Sequence, residues 1–259
     1  MKLLHRRSFG RSEVSPMWHF RRIDREHIRF ELTLETHYLS FVGAGGKTTL
    51  IEYLAAEAVR RGKRVAITTT TKIRAKAPYV LWPDLSKVQA RPDFVRVGKA
   101  VADGKLTALQ EGEVAELGSA YDLVLIEADG SKGKPLKYPA EYEPVIPCFS
   151  DRVMVVAGLD ALSGRVDEQV FRWELLERAT GVPGDARVTP SLFLRFFEDD
   201  KLMKGVNREK CVILLNKYDA CTPRDAVTDL SKAVLEKCGV TRLVLSSVLL
   251  ETFYGVERL

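Results

Sequence analysis

The sequence predicts a three-layer α/β/α protein built on a mostly parallel sheet. Three observations carry that expectation. Short apolar runs rich in β-formers recur along the chain, among them YLSFVG (38–43), YDLVLIEADG (121–130), RVMVVAG (152–158), CVILLNK (211–217) and RLVLSS (242–247). Stretches with helical spacing separate them. The runs are apolar almost throughout instead of alternating, as in parallel strands buried on both faces. Right-handed crossovers then bring the carboxyl ends of the strands to one edge, where ligands bind in such sheets.

Residues 1–30 hold eight Lys/Arg and three Asp/Glu, so this segment alone accounts for the chain's net charge of +5. It reads as a basic arm, disordered or the product of an over-long start ahead of Met17. Residues 31–259 read as one domain. Because the positive charge sits in one segment, a nucleic-acid partner is not expected. After the strand at 38–43, TTLIEYLAAEAVRRG (48–62) is a helix. Ile51, Leu54, Ala55, Ala58 and Val59 form its apolar stripe, and Gly62 ends it. RVAITTTT (64–71) is a second strand and FVRVG (94–98) a short one. Further helices are expected over 167–180, 190–200 and 225–238. No apolar run approaches the roughly 20 residues needed to cross a bilayer. The four cysteines (Cys148, Cys211, Cys221, Cys238) form no C-x-x-C pair and suit a reducing cytoplasm.

Three strand ends carry chemistry. The first is Gly43-Ala44-Gly45-Gly46-Lys47-Thr48-Thr49, between a strand and a helix. It ends like a phosphate-binding loop but is two residues shorter than G-x-x-x-x-G-K-[ST]. Its parts remain: glycines that turn N–H groups inward, a helix N-terminus, Lys47 for the phosphates and the Thr48 hydroxyl for Mg²⁺. The order resembles the abbreviated loop of the Mur ligases. The second is Glu127-Ala128-Asp129-Gly130. An acid at this place would hold Mg²⁺ directly or through water, and Gly130 could turn toward a terminal phosphate. E-x-x-G resembles the switch of metallochaperone GTPases that mature nickel enzymes. The third is Asn216-Lys217-Tyr218-Asp219, which resembles the guanine-recognition motif of GTPases. An Asp carboxylate can accept from guanine N1–H and the exocyclic amine, where adenine offers no such pair of donors. Asn216 would brace the loop, and the Lys217 stem would cover the base. Ser246 and Ser247, after the next strand, could offer a backbone N–H to guanine O6. The three together describe a P-loop NTPase with guanine preference.

FVGAGGKTTL (41–50), ITTTTKI (67–73), LVLIEADGSKGKPLKYPAEYEPVIP (123–147), VAGLDAL (156–162) and VILLNKYDA (212–220) together resemble the YqeC-type family of selenium-dependent hydroxylase accessory proteins. The resemblance runs from about residue 38 to the C-terminus, and 127–147 is its most specific block. It implies a role in maturing selenium-dependent molybdenum hydroxylases, with such an enzyme or its cofactor machinery as client. Lys47 and Thr48 then fall on the loop, Glu127 and Asp129 on the acidic block, and Asn216 and Asp219 on the base motif.

Of the remaining residues, Thr70 or Thr71, at the end of the second strand, could also reach Mg²⁺. Lys132, Lys134 and Lys137 either meet an anion or form a solvated basic loop. Pro135, Pro139, Pro144 and Pro147 make that segment stiff and extended, able to serve as a switch lever. Phe171, Trp173, Leu175, Leu176 and FLRFF (193–197) read as core. The expected activity is that of a Mg²⁺-dependent GTPase, with catalytic roles for Lys47, Glu127 and Asp129. It would turn over slowly without a partner, since the chain shows no arginine finger. The alternatives are a nucleotide-gated scaffold without turnover, and a kinase or ligase using ATP. A homodimer across the nucleotide is expected by analogy alone.

Overall fold

A computed structural model describes residues 18–24, 36–88, 92–198, 201–221 and 224–258. Met17 and the residues before it lie outside the described residues. The strands are β1 (Trp18–Ile23), β2 (Tyr38–Gly43), β3 (Val65–Thr69), β4 (Lys72–Arg74) and β5 (Tyr79–Leu81), then β6 (Phe94–Gly98), β7 (Val101–Ala102), β8 (Lys105–Thr107), β9 (Leu123–Glu127) and β10 (Leu136–Lys137). They continue with β11 (Arg152–Gly158), β12 (Val170–Phe171), β13 (Cys211–Asn216), β14 (Leu243–Ser247) and β15 (Thr252–Arg258). The helices are α1 (Lys47–Arg60), α2 (Glu111–Gly118), α3 (Val166–Gln169), α4 (Trp173–Thr180), α5 (Pro190–Arg195) and α6 (Arg224–Cys238).

Among the described residues the main sheet has ten strands in the order β1-β15-β14-β13-β11-β2-β9-β3-β6-β5. From β14 to β5 every pairing is parallel. β15 and β1 close one edge antiparallel. β1 falls inside the segment set apart as an arm, and its Ile23 is buried.

Strand period and helix period meet in the core. Leu39 and Phe41 of β2 and Met154 and Val156 of β11 face the α1 stripe of Leu50, Ile51, Leu54, Ala55 and Ala58. Val42, Val153, Val155 and Ala157 face the other way, into a cluster with Val227, Leu230, Val234 and Leu235 of α6. Val124 and Ile126 of β9 pack with Val114 and Leu117 of α2. Helices therefore cover both faces. Phe193, Phe196 and Phe197 are buried in the core, as expected.

Two expected elements are interrupted. The run at 64–71 ends as a strand at Thr69, turns at Thr70 and Thr71, and continues as β4, which pairs with β8 in a separate three-stranded sheet. The helix expected over 167–180 splits at β12 and restarts after Arg172, whose φ of 63° is incompatible with a continuous helix. The parallel register brings the ends of β2, β11, β13 and β14 to one edge: Val156 lies opposite Gly43, Gly158 opposite Asn216, and Asn216 opposite Ser246.

Candidate functional site

The loop after β2 is fixed by close backbone approach. Gly43 (φ 93°) and Gly45 (φ 86°) lie so near β11 that a Cβ on either would stand 2.2 Å from a backbone atom, Val156 O and Gly158 N respectively. Glycine is required by both conformation and space. The N–H groups of this half are spent internally. Gly43 N donates to Asp129 Oδ2 (2.9 Å), Ala44 N to Val156 O (2.8 Å) and Gly45 N to Lys134 O (3.1 Å). Of the loop amides expected to turn toward an anion, those of Gly43, Ala44 and Gly45 are therefore already engaged. The open donors are at the start of α1. The first bond within that helix runs from Leu50 N to Gly46 O, and no side chain caps the end. The amides of Lys47, Thr48 and Thr49 are left facing out, with the helix dipole behind them.

Lys47 is buried. Its Nζ donates to Gly43 O and forms an ion pair with Asp129 Oδ1 at 2.9 Å. Asp129 Oδ2 also accepts from Lys137 Nζ (3.0 Å). Lys137 has no exposed side-chain surface, which overturns both readings of it as a solvated or anion-seeking loop cation. Its ammonium donates to Asp129, to Gly130 O (2.8 Å) and to Glu143 Oε2 (2.7 Å), which uses all three of its protons. Arg172 grips the same Glu143 carboxylate with both terminal nitrogens. Burial opposes ionisation of Glu143, but the hydrogen bonds from Arg172 and Lys137 prevail and hold its carboxyl below the ordinary value. The result is a chain of alternating charge, Lys47–Asp129–Lys137–Glu143–Arg172, buried except at Arg172, which is partly exposed.

Glu127 ends β9 beside Thr48, whose hydroxyl donates to Glu127 Oε2 at 3.3 Å. Burial pushes the Glu127 carboxyl above its ordinary value, against the pull of Lys47. A carboxylate and a hydroxyl side by side, both hard oxygen donors, suit a Mg²⁺ that takes its other ligands from water and phosphate. Asp129, committed to three internal partners, is placed to steer Lys47 instead. Thr70 and Thr71 turn toward the same space. The Thr70 hydroxyl donates to Val145 O (2.6 Å), and the Thr71 hydroxyl lies 3.3 Å from that of Thr69.

The base-motif residues form a second cluster. Asn216 braces the loop: Nδ2 donates to Gly45 O at 2.8 Å, and Oδ1 accepts from Ser246 Oγ (3.0 Å) and Val248 N (3.3 Å). Ser247 Oγ accepts from Asp219 N at 3.0 Å. Asp219 is exposed. Lys217 pairs with Asp160 Oδ2 at 2.6 Å, a partner sequence reasoning missed although Asp160 sits in the VAGLDAL segment.

A cleft of about 880 Å³ opens at this edge. Gly46, Lys47, Thr48, Thr49, Glu127 and Lys217 line it, with Thr70 and Thr71. Asp219, Ser246 and Ser247 do not.

A parallel sheet covered on both faces, with this loop between its strand and the first helix, defines a protein of the P-loop NTPase architecture. More particularly, the chain belongs to the YqeC protein family, whose model matches residues 39–174, just over half the chain. It is similar to the uncharacterized protein YqeC of Escherichia coli (strain K12), with 35% identity over 161 residues. That match covers 57% of this chain and 62% of the relative, so it spans less than two thirds of the relative's length. Among solved structures, FtsY from Mycoplasma mycoides aligns with a TM-score of 0.43 and 16% identity, over 85% of this chain and 64% of that one. So slight a likeness carries no argument here. Among the described residues, no helix is long and apolar enough to cross a membrane.

Proposed function

We propose that this protein is a Mg²⁺-dependent nucleotide-binding switch that prefers GTP, hydrolyses it slowly, and assists maturation of a selenium-dependent molybdenum hydroxylase. The client class comes from the family resemblance. The nucleotide reading is supported above all by one observation: Lys47 and Thr48 of the loop and Glu127 of the acidic block line one cleft at an uncapped helix start. The phosphates would lie against the amides of Lys47–Thr49. Lys47 would leave Asp129 for the phosphate oxygens, and Thr48 and Glu127 would hold the metal, with Thr70 or Thr71 nearby. Such a metal neutralises charge developing on the transferred phosphoryl group. Asn216 would keep the base loop and phosphate loop in fixed relation, and Asp219 would read guanine.

One observation favours a second reading, an ATP-using enzyme: the exposed Asp219 and the serines Ser246 and Ser247 stand outside the cleft lining. Release of phosphate from GTP and from ATP, with and without Mg²⁺ and with and without a client hydroxylase, tests the proposal. GTP turnover that needs Mg²⁺, rises with the client and is lost in Lys47→Ala supports it. Turnover of ATP alone would replace it with the second reading. GTP binding without turnover under every condition would make the protein a nucleotide-gated scaffold.

A further inference from the structure

The cleft is larger than the phosphate loop needs, and its extra wall is built from unpartnered cations. Beyond Thr71 the lining continues through Lys72 and Arg74 of β4, Lys105 of β8, and Lys132; Arg172 also lines it but is held by Glu143. Arg74 and Lys105 are direct cross-strand partners in the β4–β8 ladder. Both are exposed, while Ile73 and Leu106 between them fill the core. Like charges placed opposite each other on a strand pair are destabilising. Neither forms an ion pair with a carboxylate among the described residues, and neither do Lys72 and Lys132. Several cations elsewhere on the surface do: Lys76 with Glu52, Lys87 with Asp84, Lys99 with Glu113 and Lys232 with Asp229. The acids of the cleft do not compensate, because Glu143 is already held by Lys137 and Arg172, and Glu127 faces Thr48. A concave wall of one sign concentrates anions.

We infer that this wall is the binding site of a second, small anionic ligand, a phosphate- or carboxylate-bearing molecule seated between Arg74 and Lys105 and facing Lys132 across the cleft. The position rests on the nucleotide reading above, because the ligand lies on the Thr70–Thr71 side of the phosphate loop, away from Asp219. A small molecule fits better than an acidic protein segment because the charges converge inside a cleft.

Pyridoxal 5′-phosphate serves as a probe on the full chain. Its aldehyde condenses with a lysine amine, losing water, and borohydride fixes the imine as a secondary amine that mass spectrometry can map. Labelling is done with the nucleotide site empty and again with a non-hydrolysable GTP analogue and Mg²⁺. The site predicts label concentrated on Lys105, Lys72 and Lys132 over Lys87 and Lys232, persisting with the analogue bound. Pyridoxal, which lacks the phosphate, should give little. Arg74→Gln, which removes an exposed phosphate partner and no lysine, should lower labelling of Lys105 about fivefold. Even labelling of all exposed lysines, or no effect of Arg74→Gln, overturns the site. Disappearance of the label with the analogue bound would assign these cations to the nucleotide and also overturn it. Protection by poly-glutamate but not by pyrophosphate would place a protein there instead. If the analogue fails to bind while the phosphate-dependent label remains, the nucleotide reading falls and the anion site stands.

Discussion

The two ends of the site are built on opposite principles. At the phosphate end, order comes from buried charge: Lys47, Asp129, Lys137, Glu143 and Arg172 neutralise one another largely away from water. At the base end it comes mainly from neutral hydrogen bonds, Asn216 to Gly45 and Ser246, and Ser247 to Asp219, with one partly exposed ion pair, Lys217 to Asp160. On the proposed function the charged end would be rearranged by an arriving anion, because a phosphate would compete with Asp129 for Lys47. That ion pair lacks the alignment of a hydrogen bond, as Asp129 Oδ1 has no hydrogen-bond partner. The neutral end has no such competitor and acts as a fixed frame. One end is suited to sensing, the other to holding.

The sharpest way to break this comparison is at Lys137. Lys137→Met leaves Asp129 and Glu143 buried with one fewer cation and should cost about 3–5 kcal/mol of stability by urea unfolding. Adding Glu143→Gln should recover part of that loss. A cost under about 1 kcal/mol would mean the charge chain does not organise the loop.

Next in size, Lys47→Ala should weaken Mg²⁺-nucleotide binding by about 1.5–3 kcal/mol, roughly ten- to a hundredfold, measured by calorimetry. On the neutral side, Asn216→Ala removes three hydrogen bonds and leaves Ser246 buried without its partner. It should cost about 1–3 kcal/mol, visible in urea unfolding as well as in nucleotide affinity.

The pH response separates the two ends further. Against the cost of burial, the hydrogen bonds from Arg172 and Lys137 hold the carboxyl of Glu143 below its ordinary value in the folded state. A lowered folded value means that its stabilisation is fully present above the unfolded value and is lost as pH falls through the folded one. The gap in melting temperature between the wild type and Glu143→Gln should therefore hold steady from pH 7 to about 5 and close below about 4.5. A gap that widens on acidification would reverse the assigned sign. The smallest effect belongs to Asp219→Ala. The side chain is exposed, so stability should change by less than about 0.5 kcal/mol, and only nucleotide choice should move.

Much of the sheet was legible. The strands at 38–43, 94–98 and 152–158 match the runs read from sequence, and those of 121–130, 211–217 and 242–247 lie inside theirs. Continuous apolar character is a local signal and survives folding. β1, β5 and the β4–β8–β7 sheet were not legible, since each is short or draws its partner from far along the chain. The loop, the acids and Asn216 could be placed because each ends a strand, and strand ends meet at one edge. Lys137 could not. From sequence it is one lysine of three in a Pro-rich loop, and only the fold shows that Asp129, Glu143 and Arg172 surround it. Arg172 shows the same limit: the helical pattern of 167–180 gives no sign that it breaks there to reach a carboxylate 29 residues away.

The most direct test of the central claim is calorimetric titration with GTP and with ATP, each with Mg²⁺, on the wild type and Asp219→Ala. The account predicts that GTP binds more tightly to the wild type, and that the variant stays folded but loses the preference. Equal or tighter binding of ATP, unchanged in the variant, would contradict it.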